Sequence, residues 1–245
     1  MTYPPTFRAL LGFMRIASRY FRYETEGFEH IRDSPSALVV AYHGRPFAWD
    51  YYCLAVRMVD ELGYYPRTFT LHTFQWIPIL RQLARQSGAL YEVPDARQLA
   101  ALKARGEHLV VLPGGSREAL RPVWIQQRVD FGRRRGYLRL ALAADLPIIP
   151  VVASGVDRAY VGINDGYRLS HRLFGHGKIP LWIGLGIGGI WPLALPLPVH
   201  IRQRIGAPIS LSRLRRAGED DQSLIERAHA LVTGEMQAML DALGT

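Results

Sequence analysis

The run Leu109-Val110-Val111-Leu112-Pro113-Gly114-Gly115-Ser116-Arg117-Glu118-Ala119-Leu120 decides how this chain reads. Its first four residues are apolar and read as a buried strand. Pro-Gly-Gly then stops the strand and lets backbone approach a ligand where a side chain would not fit. Upstream, a second apolar run, Ala37 to Tyr42, ends in His43-Gly44. Arg117 can offer a planar fork of donors to phosphate or carboxylate, and His43 is suited to take a proton near neutral pH. Together they point to group transfer from an anionic donor.

Working outward, strands and helices alternate. Tyr51 to Gly63 reads as a helix, Thr68 to His72 as a strand, and Ile77 to Gln86 as a helix ended near Gly88. Ala89 to Val93 reads as a short strand, Ala96 to Lys103 as a helix, Gly136 to Ala144 as a helix and Ile148 to Val152 as a strand. Val199 to Ile205 is expected to add an edge strand, and Gln222 to Leu243 closes the chain as an amphipathic helix. The expected fold is α/β, a largely parallel sheet flanked by helices and preceded by an N-terminal amphipathic helix. Ligands of such sheets gather outside the strands' carboxyl ends, so His43 and the 113–118 turn are expected to share one crevice.

At 245 residues the chain can bury a substantial core, and 49% hydrophobic with 21% charged content excludes disorder. The formal charge of +9 favours a phosphate-bearing partner, whether nucleic acid, anionic lipid or a phosphorylated cosubstrate. Cys53 is the single cysteine, which rules out an internal disulfide and a cysteine-based zinc cluster. His171, His176, His200 and His229 lack metal-ligand spacing, and no catalytic metal and no bound cofactor are expected. His72 is read as a structural histidine near the crevice.

Near the N-terminus no signal-peptide pattern is read, because Arg8, Arg15, Arg19 and Arg22 interrupt the apolar stretch from Phe7. On a helix, Phe7, Leu10, Leu11, Met14, Ala17 and Phe21 share one face, widened by Phe13 and Ile16, with the arginines opposite. Such a helix suits either a membrane interface or the protein's own core. Residues 1–30 are read as a membrane-associating helical region and 31–245 as the main domain. Ile179 to Val199 carries no charge, but its prolines and glycines fit a buried loop or a lid on the membrane better than a spanning helix.

Several motifs in order carry a family resemblance: Tyr42-His43-Gly44 with Asp50-Tyr51-Tyr52, Pro113 to Leu120, Pro147-Ile148-Ile149-Pro150-Val151 and Ile205-Gly206-Ala207-Pro208-Ile209. This combination resembles the glycerolipid (lysophospholipid) acyltransferase superfamily over roughly Ala37 to Leu211. The Pro-Gly-Gly-x-Arg-Glu-Ala form is most similar to the branch with plant phytyl ester synthases and a triacylglycerol-forming animal acyltransferase.

The resemblance implies transfer of a fatty acyl group from acyl-CoA, or acyl carrier protein, to a hydroxyl of a lipid acceptor such as a lysophospholipid or a mono- or diacylglycerol. The enzyme is expected at the cytoplasmic face of a membrane, and no nucleic acid partner is expected, because no aromatic-basic RNA motif or zinc-finger spacing appears. A hydroxyl attacks a thioester only as a base removes its proton, which would be the role of His43. A carboxylate on the other ring nitrogen would orient that imidazole, and Asp50 is the candidate. The family pattern has four residues between His and Asp; here six, Gly44 to Trp49, intervene. Gly44 and Pro46 are expected to let this loop bulge, with Glu118 next in line if Asp50 does not reach. Asp50 also fits a helix cap.

In the same reading Gly114 and Gly115 expose amides to the ligand, and Ser116, Arg117 and Glu118 complete the substrate-binding loop. Arg117 would grip phosphate or a glycerol oxygen, or else pair with a carboxylate in a tight turn. Arg97 stands where family members often grip phosphate, and equally fits a solvated helix start. Arg133, Arg134 and Arg135 form a basic run that suits coenzyme phosphates or lipid headgroups, and reads for most of them as a solvated helix start. Two alternatives stand beside this reading. Gly114-Gly115-Ser116-Arg117-Glu118 approaches a nucleophile elbow, which would make Ser116 the nucleophile of an esterase. A non-catalytic basic membrane-binding module is the other.

Overall fold

The computed structural model describes residues 3–70, 75–175 and 180–244. The expected strand at Thr68 to His72 therefore lies partly, and His72 and His176 wholly, outside the described residues.

The centre of the molecule is β5 (Ile148–Ser154), whose seven residues are all buried. It pairs in parallel with β2 (Leu38–Ala41), which pairs in parallel with β4 (Leu109–Val111), which pairs in parallel with β3 (Arg67–Thr68). On the other side β9 (Arg202–Ile205) runs antiparallel to β5, and β1 (Glu24–Glu26) runs parallel to β9. The six-stranded order is β1-β9-β5-β2-β4-β3. Val39 and Ala41 face one core while Leu38, Val40 and Tyr42 face the other, as strand pleating requires. A sheet covered on both faces by helices follows, as expected for a mostly parallel array.

One face is covered by α1 (Pro5–Tyr20), α2 (Glu29–Arg32), α3 (Trp49–Leu62) and α4 (Pro78–Ser87). The other is covered by α5 (Ala96–Ala104), α7 (Gly136–Ala144) and α10 (Asp221–Leu243). The short helices α6 (Gly115–Ala119) and α9 (Leu211–Leu214) lie in connections. α5 starts on a capping box of Asp95 and Gln98, which explains its abrupt N-terminus after Pro94. A separate antiparallel sheet holds β6 (Val161–Gly162), β7 (Gly184–Gly186) and β8 (Gly189–Ile190), with α8 (Gly166–Phe174) between its first two strands.

Two expectations change. The strand near Val199 to Ile205 is not an edge: β9 lies between β1 and β5, because Gln203 and Ile205 alternate inward against the core while β1 covers its outer side. The Ala89 to Val93 run forms only an isolated bridge from Leu90 to Phe69. The 1–30 region supplies α1 and β1 to the main body, and α1 buries Phe7, Leu11 and Met14 there. Phe13 and Ile16 stay exposed, and Arg15 pairs with Asp60 on α3. No described helix is long and apolar enough to cross a membrane. The uncharged stretch after residue 179 forms β7, β8 and an exposed turn beyond them.

Candidate active site

His43 follows β2 and the Pro-Gly-Gly turn follows β4. Their parallel pairing brings both to the same end of the sheet, where the His43 N–H donates to Glu118 Oε2 at 2.9 Å. Glu118 is fully buried, and its other oxygen accepts the Asp130 N–H at 2.7 Å. Arg121 lies over the Tyr42 ring, and its Nε–H donates to the Glu118 carbonyl at 2.7 Å. One carboxylate thus ties the residue after β2 to the glycine turn and to the 130 loop. Burial pushes the Glu118 carboxyl up to about 7, against the pull of the Asp130 N–H, Arg121 and the His43 N–H.

His43 is half-buried at this end of the sheet. Burial lowers its pKa to about 4, its own backbone opposes this, and the charges of Arg121 and Arg134 lower it further. A neutral imidazole at physiological pH is the form a general base requires. Its Nδ1 is buried and has no hydrogen-bond partner.

The loop from Gly44 to Trp49 is longer than the resembled pattern, and the structure absorbs the excess at Phe47 and Ala48. These two residues take left-handed backbone, with φ of 72° and 45°. For non-glycine residues that costs roughly 1–2 kcal/mol each, a strain typical of sites where geometry matters more than stability. Gly44 and Pro46 are not the bulge. Gly44 is small because a Cβ there would lie 2.1 Å from a Val156 methyl.

Asp50 enters the first turn of α3, one residue past the helix start, with Ala48 at the cap position. Its carboxyl is buried; burial raises its pKa to about 7, opposed by the amides of Tyr51, Asp50 itself and Gly44. The Asp50 carboxyl thus stands near the amides of Gly44, next to His43, and of Tyr51 at the root of α3. Asp50 Oδ1 has no hydrogen-bond partner, and no hydrogen bond joins it to His43. Two buried orphan atoms, His43 Nδ1 and Asp50 Oδ1, thus flank the same loop.

The glycine turn is built differently from the expected amide cradle. Gly115, at φ 49°, spends its N–H on the Leu112 carbonyl at 3.1 Å. A Cβ on Gly114 would lie 2.0 Å from Glu118 Oε2, so this glycine makes room for the carboxylate. Ser116 hydrogen-bonds the Tyr167 hydroxyl on α8. Arg117 is exposed and pairs with Asp130 at 3.0 Å, as its tight-turn reading requires, with its fork still reachable from solvent. Arg97 stands exposed on the first turn of α5, outside the hydrogen-bond network of this turn.

Arg134, and two buried residues that the sequence reading passed over, Arg45 and Asp157, surround this turn. Arg134, read as solvated, donates to the carbonyls of Pro113 and Gly114 at 2.7 and 2.6 Å. Arg45 is fully buried over the Trp182 ring, donating to the carbonyls of Asp157 and Arg121 at 2.6 Å each. Asp157 accepts the Tyr42 hydroxyl at 2.6 Å and the Gln127 N–H at 2.7 Å. The adjacency of Arg45 to His43 was the one available signal; Asp157 had none. No metal-binding cluster of His, Cys, Asp and Glu occurs among the described residues.

Beside the 44–49 loop opens an aromatic and aliphatic cavity of about 360 Å³ between α1, α3 and α4. Phe13, Phe47 and Trp49 stand on its wall nearest the loop, and Leu83 and Ala84 line the α4 side. His43 does not line it.

The described family model Acyltransferase matches residues 22–154, which span β1 through β5 and include His43, Asp50 and the glycine turn. Among curated proteins, the chain is 30% identical to a chicken "DGAT1/2-independent enzyme synthesizing storage lipids" over 76% of this chain and 52% of that one. It is 27% identical to the human protein of the same name, over 92% and 63%. It is 29% identical to an uncharacterised Mycobacterium tuberculosis protein, over 82% and 56%. The chain thus spans between about half and two thirds of the length of these relatives. Among solved structures, the 1-acyl-sn-glycerophosphate (LPA) acyltransferase PlsC from Thermotoga maritima shares the fold at a TM-score of 0.55, with 16% identity over 95% of this chain and 79% of that one. With the family model covering more than half of its residues, this chain belongs to the Acyltransferase family.

Proposed function

We propose that this protein transfers a fatty acyl group from a coenzyme A or acyl carrier protein thioester to the hydroxyl of a lipid, with His43 as general base. The observation that carries the reading is a neutral, half-buried imidazole on a residue whose backbone N–H is held by the buried Glu118 beside the glycine turn. In the step, His43 takes the acceptor's proton as the oxygen attacks the thioester carbon, and the thiolate leaves. Asp50, with its unsatisfied oxygen on the same loop, orients the loop and stabilises the imidazolium as it forms. Arg117 and Arg134, on the outer side of the turn, supply positive charge to donor or acceptor phosphate. The aromatic cavity beside Phe47 suits an acyl chain.

For the acceptor, the Pro-Gly-Gly-x-Arg-Glu-Ala form favours neutral glycerolipids over lysophosphatidate, and the storage-lipid synthesis for which the chicken and human relatives are named agrees with that choice. The site would work at a membrane surface on the cytoplasmic face. The test is a screen of acyl-CoA and acyl carrier protein donors against monoacylglycerol, diacylglycerol, phytol and lysophosphatidate, read by mass spectrometry of lipid products. Product with mono- or diacylglycerol is expected. Lipid product with none of these pairs would reject the reading.

The esterase reading is weaker, because Ser116 lies inside α6 with its hydroxyl on Tyr167 rather than on a histidine. Ser116→Ala is expected to keep most acyl transfer, whereas an esterase would lose its turnover.

A further inference from the structure

We infer that the β7–β8 arm, with the turn Trp191 to Leu195 that follows it, is a lipid-inserting element that docks the protein on an anionic bilayer jointly with the outer face of α1. The inference gives a partner to the site proposed above and rests on that reading only for its purpose, since docking is measurable without turnover.

The arm's surface is apolar to an unusual degree. Leu193 is 93% exposed, Leu195 66% and Ile190 52%, and no residue from Pro180 to Val199 carries a charge. Isolated exposed apolar residues are ordinary, but a contiguous group of them marks a contact surface. The arm's backbone is also paired within itself. Ile187 and Leu195 exchange both of their hydrogen bonds, at 2.8 and 3.1 Å. The Ile190 carbonyl accepts from Leu193 and Ala194, and Trp191 donates to Gly184. Entry into lipid penalises unpaired amides above all, and this tip carries few of them.

The arm continues into α1. The Tyr20 hydroxyl donates to the Pro196 carbonyl at 2.6 Å, and the ring of Phe47 sits 6.2 Å from Trp191 and 5.9 Å from Trp49, which neighbours Phe13. Phe13 and Ile16, exposed at 55% and 65%, extend the same apolar surface. Phe13 and Phe47 also line the aromatic cavity, so a chain leaving the bilayer would enter it without crossing water.

Charge selects lipid over a protein partner. Arg8, Arg19 and Arg22 are exposed on and just after α1 and form no ion pair among the described residues, whereas Arg15 is neutralised by Asp60. An uncharged tip fringed by free arginines and by Tyr20 and Trp191 matches the layers of an anionic bilayer: hydrocarbon, interface, phosphate.

The test is flotation of the full chain with phosphatidylcholine vesicles, with and without phosphatidylglycerol. Leu193→Asp/Leu195→Asp and, separately, Ile16→Asp are each expected to weaken partition roughly tenfold or more, because each takes exposed aliphatic surface out of the lipid contact. Leu231→Asp, an exposed position on α10, should bind as the unaltered protein, and so should His43→Ala. Thermal melts establish that each variant is folded. Phosphatidylglycerol should strengthen binding, and Arg19→Glu/Arg22→Glu should abolish that gain. Partition of the arm variant equal to that of the unaltered protein overturns the inference, as does absence of binding to either vesicle. A change in self-association with unchanged vesicle binding would instead assign the arm to contact between copies. Failure of the acyl-transfer screen leaves all of these results readable.

Discussion

The amide of His43 and the carboxylate of Glu118, 75 residues apart in the chain and 2.9 Å apart in space, join the ends of two parallel strands. Because Glu118 also takes the Asp130 N–H, its removal would strand two buried donors. Each costs about 1–3 kcal/mol, so Glu118→Ala should lower unfolding free energy by roughly 2–6 kcal/mol. Glu118→Gln, which keeps an acceptor oxygen and the shape, should recover about half. Urea unfolding checks both, and a loss below about 1 kcal/mol in the alanine variant would mean the clamp is dispensable.

Gly114 and Glu118 compete for the same space. Gly114→Ala should destabilise the fold by about 1–3 kcal/mol through overpacking. Combined with Glu118→Ala the loss should be well short of additive, since the second change removes the atoms that the first one meets at 2.0 Å. Additive losses in a double-mutant cycle would contradict this account of the glycine.

His43 should titrate far below a free histidine. Burial brings its pKa from the ordinary 6.5 down to about 4, which keeps the imidazole neutral at pH 5.5. The unfolded chain takes up a proton there and the folded chain does not, so this group withdraws stability as pH falls from about 6.5 towards 4. Nitrogen-15 chemical shifts of the His43 ring should therefore stay those of neutral imidazole at pH 5.5.

Asp50 has the opposite sign. Burial carries its pKa from the ordinary 3.8 up to about 7, so the folded state holds a proton that the unfolded chain releases, and stability is lost as pH rises from about 4 through 7. Asp50→Asn removes that dependence. Relative to the unaltered protein it should gain stability between pH 5 and pH 7, on the order of a kcal/mol or more in denaturant unfolding. If Asp50 also steadies the imidazolium, the same variant should lose kcat with little change in KM. Equal kcat would leave Asp50 a purely structural residue.

How much of this was legible in the chain depends on how local each signal is. The strands through Val39, Val110 and Ile149 were readable because short apolar runs bounded by proline, glycine or charge have few other solutions. The helix Gly136–Ala144 came out with its bounds intact. The position of β9 did not, since a four-residue alternating strand looks the same at an edge or inside a sheet until its second neighbour, β1, is known. The meeting of His43 with the glycine turn followed from sheet topology alone. The burial of Arg45, Arg121 and Asp157 did not, because lone charged residues normally face water and only tertiary partners show otherwise. Gly114 was read as space for a ligand and is space for Glu118.

The most direct measurement compares acyl transfer by the unaltered protein and His43→Ala, with the best donor and acceptor from the lipid screen and both proteins at matched thermal stability. The account predicts that kcat falls by at least about a hundredfold, the usual scale for losing a general base, while vesicle binding persists. Turnover by His43→Ala within a few fold of the unaltered protein would contradict it.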